Sequence, residues 1–350
     1  MKGLRLYLPP FAPDTSGAAA VLYPLGGMVV IVDAGGCAGN ICGFDEPRWQ
    51  EEGAKSAVFS AGLRDMDAIM GRDDKLIEKV HLACEEIEPQ FIAFIGTPVP
   101  AVIGTDYRAL TRMAKKATGL PAIAVDSDGT KLYDAGGGKA LLALCRAFAK
   151  GQTAGHCGTI GLLGLTPLDF SAGERNRLAD ALRKEGWSAV CCYDRLTDFT
   201  QPCCRKNLVV SPLGLPAARF LAEHCGIPYE IGLPEAFLND LTAKIASGLA
   251  KEDHVLIIHQ QVLAGALRRA LRQGGHHGPI TCATFFEQLA GTSEPGDAVF
   301  REEDEFQAFV ADGRFTAIVG DPSLRRGLPS FGGRFLALPH FAVSGTTSAS

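Results

Sequence analysis

Two cysteines, Cys37 and Cys42, stand five positions apart in a glycine-rich stretch that follows an apolar run at residues 28–32. In open α/β sheets, ligands bind at the carboxyl ends of parallel strands. Thiolates are preferred ligands of iron–sulfur clusters and zinc. Glycines such as Gly36 let the backbone approach a bulky inorganic group, and their N–H groups can point at its sulfur atoms. The stretch is therefore a candidate metal site.

The two thiolates fill only half of a four-ligand site. A twofold dimer that supplies Cys37 and Cys42 from each subunit would complete a [4Fe–4S] site on its axis. The alternative is a tight turn in which the small thiols only pack. The spacing does not decide between these interpretations, because it matches no standard metal signature.

The chain has eleven cysteines, an odd number, and no apparent secretory signal. This pattern argues against a disulfide framework and favours a reducing, cytoplasmic location. Cys84 and Cys145 lie on predicted apolar helix faces and are expected to pack in the core. Cys191–Cys192 and Cys203–Cys204 are adjacent pairs, and neighbours on a strand point to opposite faces. Neither pair is expected to form one site.

Three polar residues outside the cysteine stretch are also candidate site residues. Arg64 belongs to a segment, residues 64–75, that is dense in both charge signs. It fits a solvated helix surface, or a docking or substrate-lining surface beside Cys37. His259 and His340 each follow a predicted strand, where open-sheet ligands bind. For both histidines, the sequence favours a hydrogen-bonded structural role over a ligand role.

Short Val- and Ile-rich runs alternate with helical periodicity along the chain, which predicts an α/β fold with parallel sheets flanked by helices. The predicted strands are 28–32, 91–95, 122–125, 159–163, 208–210, 255–258 and 317–319. The predicted helices are 74–87, 106–118, 139–150, 171–185, 215–224, 234–249 and 262–272.

Two breaks divide this pattern into three predicted lobes: residues 1–152 with the Cys37 stretch, residues 153–250, and residues 251–350. The polar, glycine-containing segment 150–155 precedes a new strand, and the charged residues 251–253 lead into another. Ser, Thr, Gly and Ala dominate the last seven residues, which predicts a frayed tail.

Composition excludes several functions. A net charge of −5 and a pI of about 5.9 give no electrostatic footprint for nucleic acid. No apolar run approaches the roughly 18 residues of a membrane-spanning helix.

Residues 136–138, three glycines before Lys139, lack the spacing and the Ser or Thr of a phosphate-binding loop. They are expected to form a loop leading into a helix, and no nucleotide site is predicted.

Several segments together resemble the nitrogenase component 1 family, which includes dark-operative tetrapyrrole reductases and a nickel-tetrapyrrole reductase. Gly35-Gly36-Cys37 is similar to the family's glycine–cysteine after the early strand, and Ile103-Gly104-Thr105-Asp106 to its Ile-Gly-Asp-Asp. Residues 71–76, 206–209, 226–229, 318–320 and 340–345 are also similar. The resemblance implies three Rossmann-like lobes around a central crevice.

The resemblance also implies a division of labour. An ATP-hydrolysing iron protein would deliver electrons to an iron–sulfur cluster, and a small-molecule substrate would be reduced in the crevice. The chain would work as a homodimer or with a sister subunit. Cys37 and Cys42 are the predicted ligands, with Gly36 and His340 as cofactor-binding residues. Asp33, Arg64 and Asp106 are placed, by position, as catalytic neighbours of the cluster.

The chain departs from the family at three ligand positions. Of three cysteines that hold the bridging cluster in nitrogenase subunits, only Cys37 is matched; Phe11 and Thr97 fall near the others. Ser211 stands where the family anchors its molybdenum cofactor, opposite His340. A smaller cluster is therefore expected, and dinitrogen reduction is not. A cluster scaffold or carrier without turnover, and a regulatory binding module in which Cys37 only packs, remain alternatives.

Overall fold

Three parallel β-sheets, each flanked by helices, follow one another along the chain. The computed structural model describes residues 5–50, 56–64, 71–149 and 158–346. The first sheet has the strand order β2-β1-β3-β4, the second β6-β5-β7-β8 and the third β11-β10-β9-β12-β13. The predicted fold class is confirmed.

The first sheet contains β1 (Met28–Ile31), β2 (Ala57–Ser60), β3 (Ile92–Ile95) and β4 (Ala122–Val125), and its helices are α1 (Asp14–Leu22), α2 (Gly36–Asn40), α3 (Asp73–Ile87), α4 (Pro98–Ile103), α5 (Tyr107–Thr118) and α6 (Tyr133–Phe148). Alternate residues of β1 enter different cores. Val29 and Ile31 face α1 and α6, whereas Met28 and Val30 face α3 and α5. Because both faces are covered, all four residues of β1 are apolar and buried.

The second sheet contains β5 (Thr159–Leu163), β6 (Ala189–Cys191), β7 (Lys206–Val209) and β8 (Tyr229–Ile231), with α7 (Ala172–Lys184), α8 (Leu196–Thr200), α9 (Leu215–Cys225) and α10 (Glu235–Ser247). The third contains β9 (Val255–Ile258), β10 (Ile280–Thr284), β11 (Ala298–Val299), β12 (Ala317–Gly320) and β13 (Arg334–Ala337), with α11 (Gln261–Gln273), α12 (Glu303–Asp312) and α13 (Phe341–Ser344). One hydrophobic cluster draws residues from all three sheets, so the lobes share a core.

The predicted strands and helices agree closely with the observed ones. Strands β4, β5 and β9 have the predicted bounds, and the other predicted strands differ by one or two residues. The predicted domain boundaries stay a prediction, and the first of them, at residue 152, lies outside the described residues. In the part of the chain that the structure describes, no helix has the length and apolar character needed to cross a membrane.

The glycines at 136–138 do not form the predicted loop, because they lie inside α6, which begins at Tyr133. A Cβ at Gly136 would stand 1.8 Å from the carbonyl oxygen of Asp14, and one at Gly17 would stand 1.8 Å from that of Tyr133. Helices α1 and α6 therefore pack backbone against backbone. Glycine is required there by close approach, although it weakens a helix.

Candidate metal centre and the junction of the lobes

Cys37 lies directly beyond the carboxyl end of β1, where the chain turns into α2. Gly35 makes this turn with φ of +116°, a conformation that favours glycine, and Gly36 begins the helix. A π-helical turn, Ile41–Asp45, continues from α2 and carries Cys42. The two predicted ligands are thus brought onto one continuous helical segment at a strand end.

Asp33 holds this segment in place. Its carboxylate is buried and accepts hydrogen bonds from the backbone N–H of Ala38 at 2.9 Å and from Ser60 Oγ at 2.6 Å. The second bond ties the segment to the end of the neighbouring strand β2. Asp33 is therefore brought beside Cys37, where it positions the backbone around the thiol.

Both thiols are half-buried. Burial raises the pKa of Cys37, and the Asp33 carboxylate raises it further, while a hydrogen bond with the hydroxyl of Thr97 lowers it. Burial and the Glu46 carboxylate raise the pKa of Cys42. Without a metal both side chains are thiols at neutral pH, and a bound cation would have to displace their protons.

Arg64 and Asp106 take no part in the contacts described above around Cys37 and Cys42. Arg64 is exposed and follows Leu63, whose N–H donates to the carbonyl oxygen of Asp33. Asp106 is the N-cap of α5, where its carboxylate accepts from the N–H groups of Arg108 and Ala109 at 2.9 and 3.0 Å. Capping the helix accounts for the carboxylate of Asp106 at this position. The catalytic roles of Arg64 and Asp106 stay predictions.

The described residues provide few possible ligands for a cluster. Among the described ranges of the chain, no group of three or more His, Cys, Asp or Glu side chains could hold a metal ion. Cys37 and Cys42 are the soft ligands at the β1 edge, and an iron–sulfur cluster needs four. One chain therefore offers at most two of the four thiolates here.

A second cluster of polar side chains lies where the three lobes meet, around Asp169. Its carboxylate accepts from Tyr133 Oη at 2.5 Å and from Ser211 Oγ at 2.8 Å, and it lies 3.1 Å from His340 Nε2. Tyr133 begins α6, Ser211 follows β7 and His340 follows β13. All four side chains are buried.

His340 is held from several sides. Its backbone N–H donates to the Asp321 carboxylate at 2.8 Å, and its ring stacks on that of His259 with centroids 4.0 Å apart. Burial lowers the pKa of His259 well below its usual value, and nearby His340 lowers it further. His259 is therefore a neutral structural residue, as the sequence favoured. His340 Nδ1 is buried without a hydrogen-bond partner in the described residues.

These contacts do not fit a large metal cofactor held between positions 211 and 340. Ser211 offers a hydroxyl in place of a thiolate, and both Ser211 and His340 already contact Asp169. Cofactor binding by His340 stays a prediction.

The cysteine segment and the junction are connected through α1. Ser16 of α1 donates to Asp45, beside the cysteine segment, at 2.6 Å. Gly17, the next residue of α1, contacts the backbone of Tyr133, whose hydroxyl reaches Asp169. Helix α1 therefore contacts both the cysteine segment and the junction. The sequence does not reveal this link, because it places the candidate residues only at the ends of separate strands.

Two cysteines from different adjacent pairs also come together. Cys191 lies opposite Gly161 in the parallel register, and a Cβ at Gly161 would be 3.1 Å from Cys204 Sγ. A hydrogen bond from the Cys191 thiol lowers the pKa of Cys204. The sequence does not reveal this contact, because Cys191 and Cys204 belong to segments on either side of β5 in the sheet.

Asp134, next to Tyr133, is a buried carboxylate that links two lobes by accepting from the N–H of Glu287 at 2.5 Å. Burial, with the nearby Glu287 carboxylate, raises its pKa to about 7, against 3.8 in the unfolded chain. Between about pH 4 and 7 the native state keeps a proton that the unfolded chain has lost. The contribution of Asp134 to the free energy of unfolding therefore falls as pH rises through that window.

Replacing Asp134 with asparagine should remove this pH dependence, since the amide oxygen can still accept from Glu287 but does not ionise. The free energy of unfolding of Asp134→Asn, relative to wild type, should rise by about 2–4 kcal/mol between pH 4 and pH 8. Urea unfolding at several pH values measures this difference. A difference that stays constant with pH would contradict the assigned cause.

The fold is an α/β architecture of three parallel sheets, with Cys37 and Cys42 on one helical segment beyond the end of a strand. A profile of the nitrogenase component 1 type oxidoreductases matches residues 14–237. Since this match covers more than half of the chain, the protein belongs to that family, as the resemblance implied.

Curated relatives match over a limited stretch. The chain is 31% identical over 122 residues to the nitrogenase iron-molybdenum cofactor biosynthesis protein NifE of Klebsiella pneumoniae, a match that covers 32% of this chain and 25% of that protein. It is 32% identical over 133 residues to NifE of Methanococcus maripaludis, covering 36% of this chain and 26% of the relative. The matched stretch is thus about a quarter of either relative.

Solved structures support the fold over a longer range. A nitrogenase structure described as Cp1 at pH 6.5 superposes with a TM-score of 0.69 at 11% identity, covering 100% of this chain and 89% of that chain. A second, Cp1 at pH 5, has a TM-score of 0.59 at 18% identity, covering 89% and 72%. At these identities the likeness concerns the three-lobed architecture.

Proposed function

We propose that this protein is the catalytic component of a nitrogenase-like reductase. It accepts single electrons from an ATP-hydrolysing iron protein through a small iron–sulfur cluster, and it reduces a small organic molecule other than dinitrogen in the crevice between the lobes. The observation that carries this proposal is the pair of half-buried thiols, Cys37 and Cys42, on a segment anchored by buried Asp33 at the end of β1.

The surface around the thiols supports a second subunit. Phe44, two residues beyond Cys42, is 76% exposed, and Val102 on α4 is 86% exposed. Helix α4 begins directly after Thr97, whose hydroxyl contacts the Cys37 thiol. Exposed apolar residues beside a half-complete ligand set favour a partner that covers them and brings two more thiolates.

The residues of this chain would perform distinct tasks at that site. Cys37 and Cys42 would bind iron as thiolates, and Asp33 would fix the backbone from which they project. The bound cluster would supply one-electron transfer. At the junction, Asp169 fixes the hydroxyl of Tyr133 and the ring of His340, so that these groups keep one orientation behind the crevice.

A second candidate function is a scaffold or carrier that holds a metallocluster or its precursor without substrate turnover. The matched curated relatives favour it, since they are named cofactor biosynthesis proteins. The half-complete ligand set also suits a protein that must release its cluster, because few protein ligands have to be displaced.

Anaerobic reconstitution with iron and sulfide tests the metal site common to both candidates. We expect about four irons and four sulfides per dimer, with the brown colour and charge-transfer absorption of a cluster. A dimer should form or tighten at the same time, as measured by light scattering. A colourless, iron-free protein after reconstitution would contradict the proposal.

Electron delivery separates the two candidate functions. The reconstituted protein is mixed with a purified iron protein, ATP and reductant, and the cluster signal is followed by electron paramagnetic resonance. A reductase component should be reduced only when ATP is hydrolysed. Transfer of iron and sulfur to an acceptor protein, without ATP-dependent reduction, would favour the scaffold.

A further inference from the structure

Cys191 and Cys204 meet on one face of the second sheet. Cys191 ends β6, and Cys204 lies in the turn that leads from α8 into β7. Both pack in the hydrophobic cluster that the three lobes share, whereas Cys192 packs in a separate cluster on the other face of the sheet. Cys203 is exposed, while its neighbour Cys204 is buried. One member of each adjacent pair therefore contacts one member of the other pair.

The absence of a side chain at Gly161 makes room for this contact. Gly161 lies in the middle of β5, directly opposite Cys191 in the parallel register. A Cβ at Gly161 would stand 2.1 Å from Asn207 Oδ1 and 3.1 Å from Cys204 Sγ. Glycine weakens the interior of a strand and often marks the close approach of another group. Here that group is the Cys204 sulfur, which accepts a hydrogen bond from the Cys191 thiol.

The two sulfur atoms have different surroundings. Cys204 is fully buried, and hydrogen bonds from the Cys191 thiol and from Tyr193, whose Oη lies 3.9 Å away, lower its pKa. Cys191 is half-buried on an edge strand, and its thiol also contacts the carboxylate of Asp198. The pair thus has one sulfur that a small molecule can reach and, behind it, a second sulfur whose thiolate is stabilised.

A metal site is a poorer explanation of these contacts. Among the residues that the structure describes, no group of three or more His, Cys, Asp or Glu side chains could hold a metal ion. Two neighbouring thiols are instead sufficient for thiol–disulfide exchange, in which one thiolate attacks a disulfide and the second resolves the mixed disulfide. In reducing compartments, protein disulfides are usually transient and redox-active.

We propose that Cys191 and Cys204 form a redox-active dithiol, which a low-molecular-weight disulfide converts into an internal disulfide. The Cys191 thiolate, formed when its proton passes to Asp198, attacks one sulfur atom of the small disulfide and releases one thiolate. Cys204 Sγ then attacks Cys191 Sγ in the mixed disulfide and releases the second. The two cysteines lose two electrons and two protons, which leave with the small molecule as two thiols.

The new bond would link β6 to the segment before β7, across β5. Helix α8, which lies between Cys191 and Cys204 in the chain, packs against α6 of the first lobe. The cross-link would therefore restrain the second lobe where it contacts the first. A native cross-link also lowers the entropy of the unfolded chain, so the oxidised protein should melt at a higher temperature.

Oxidised glutathione, added to the full-length protein without oxygen, tests this proposal. Trypsin cleaves after Arg195 and Arg205, so Cys191 and Cys204 fall in different peptides. Mass spectra of the non-reduced digest should show these two peptides linked as the main disulfide product. Dithiothreitol should reverse the link and the rise in melting temperature.

The matched control is the double variant Cys192→Ser with Cys203→Ser, which removes the neighbouring thiol from each of the two peptides. It should form the linked product as the wild type does. Adding Cys191→Ser or Cys204→Ala to it should abolish the product. Loss of the linked product in the control variant would overturn the proposal, and so would a link that forms only in urea or a mixed disulfide on Cys191 that Cys204 never resolves.

Iron analysis keeps this proposal separate from the cluster site. Cys191→Ser should reconstitute with wild-type iron, because the contacts described for Cys191 include neither Cys37 nor Cys42. Loss of iron in Cys191→Ser would overturn the dithiol proposal, since the pair would then serve as metal ligands. An iron-free wild-type protein that still forms the linked product would contradict the metal site alone.

Discussion

Cys37→Ala should reduce the iron content after anaerobic reconstitution from about four atoms per dimer to nearly none. In a twofold dimer this change removes two of the four thiolates at once, since each subunit contributes the same residue. The remaining Cys42 thiolates cannot complete the coordination of a cluster. Iron and sulfide analysis, with the visible absorption spectrum, measures the loss.

Cys84→Ala is the matched control. Cys84 lies on the buried apolar face of α3, with Leu76, Ile77 and Val80, and has the environment of a packing residue. That variant should keep the wild-type iron content while losing some stability to the cavity left behind. Full iron in Cys37→Ala would place the cluster on other ligands and remove the basis of the electron-transfer proposal.

Asp169→Ala should cost about 3–5 kcal/mol of folding stability, because the substitution leaves several buried groups without their partner. Tyr133 Oη and Ser211 Oγ would lose their carboxylate acceptor, and His340 Nε2 would keep only its 3.3 Å contact with Tyr133 Oη. For a chain of this length the melting temperature should fall by roughly 5 °C or more. Calorimetry or circular dichroism measures the shift.

Asp180→Ala provides the comparison. Asp180 pairs with Arg183 on the exposed side of α7, with more than half of each side chain accessible. An exposed pair contributes at most about 1 kcal/mol. If Asp169→Ala destabilised the protein no more than Asp180→Ala does, the junction would not be the cooperative polar network that its distances indicate.

Helix α1 contacts both the cysteine segment and the junction around Asp169. The helix joins the cysteine segment through Ser16 and the junction through Gly17, and both contacts are short. We expect substitutions at Asp169 to leave the iron content unchanged if α1 is only a spacer. A changed cluster signal in Asp169→Ala would show that α1 couples the two sites.

Local patterns in the sequence were sufficient to predict seven of the strands and seven of the helices. Alternation of apolar runs and helical periodicity depends on residues close together in the chain, and it placed β4, β5 and β9 at their observed bounds. Cys37 and Asp33 could be predicted at a strand end for the same reason. Two breaks in the pattern predicted three lobes, and the resemblance to a family implied a crevice between them.

Contacts between distant segments were beyond such patterns. The glycines at 136–138 lie inside α6, and Gly136 is required because α1 approaches its backbone. Nothing near Gly136 in the chain reveals that approach. Asp169 was not predicted as a site residue, although it joins Tyr133 of one lobe to His340 of another. No periodicity around Asp169 marks it as a point of convergence.

The sequence alone therefore predicted seven strands, seven helices and the thiols beyond the end of β1, because hydrophobic period and turn chemistry are local. The edge strands β2, β6, β8, β11 and β13 were not predicted. Tertiary structure alone decided that the Asp169 carboxylate joins Tyr133, Ser211 and His340 at the junction of the lobes. The physical reason is that burial and proximity depend on how three sheets pack, and single segments carry no information about that packing.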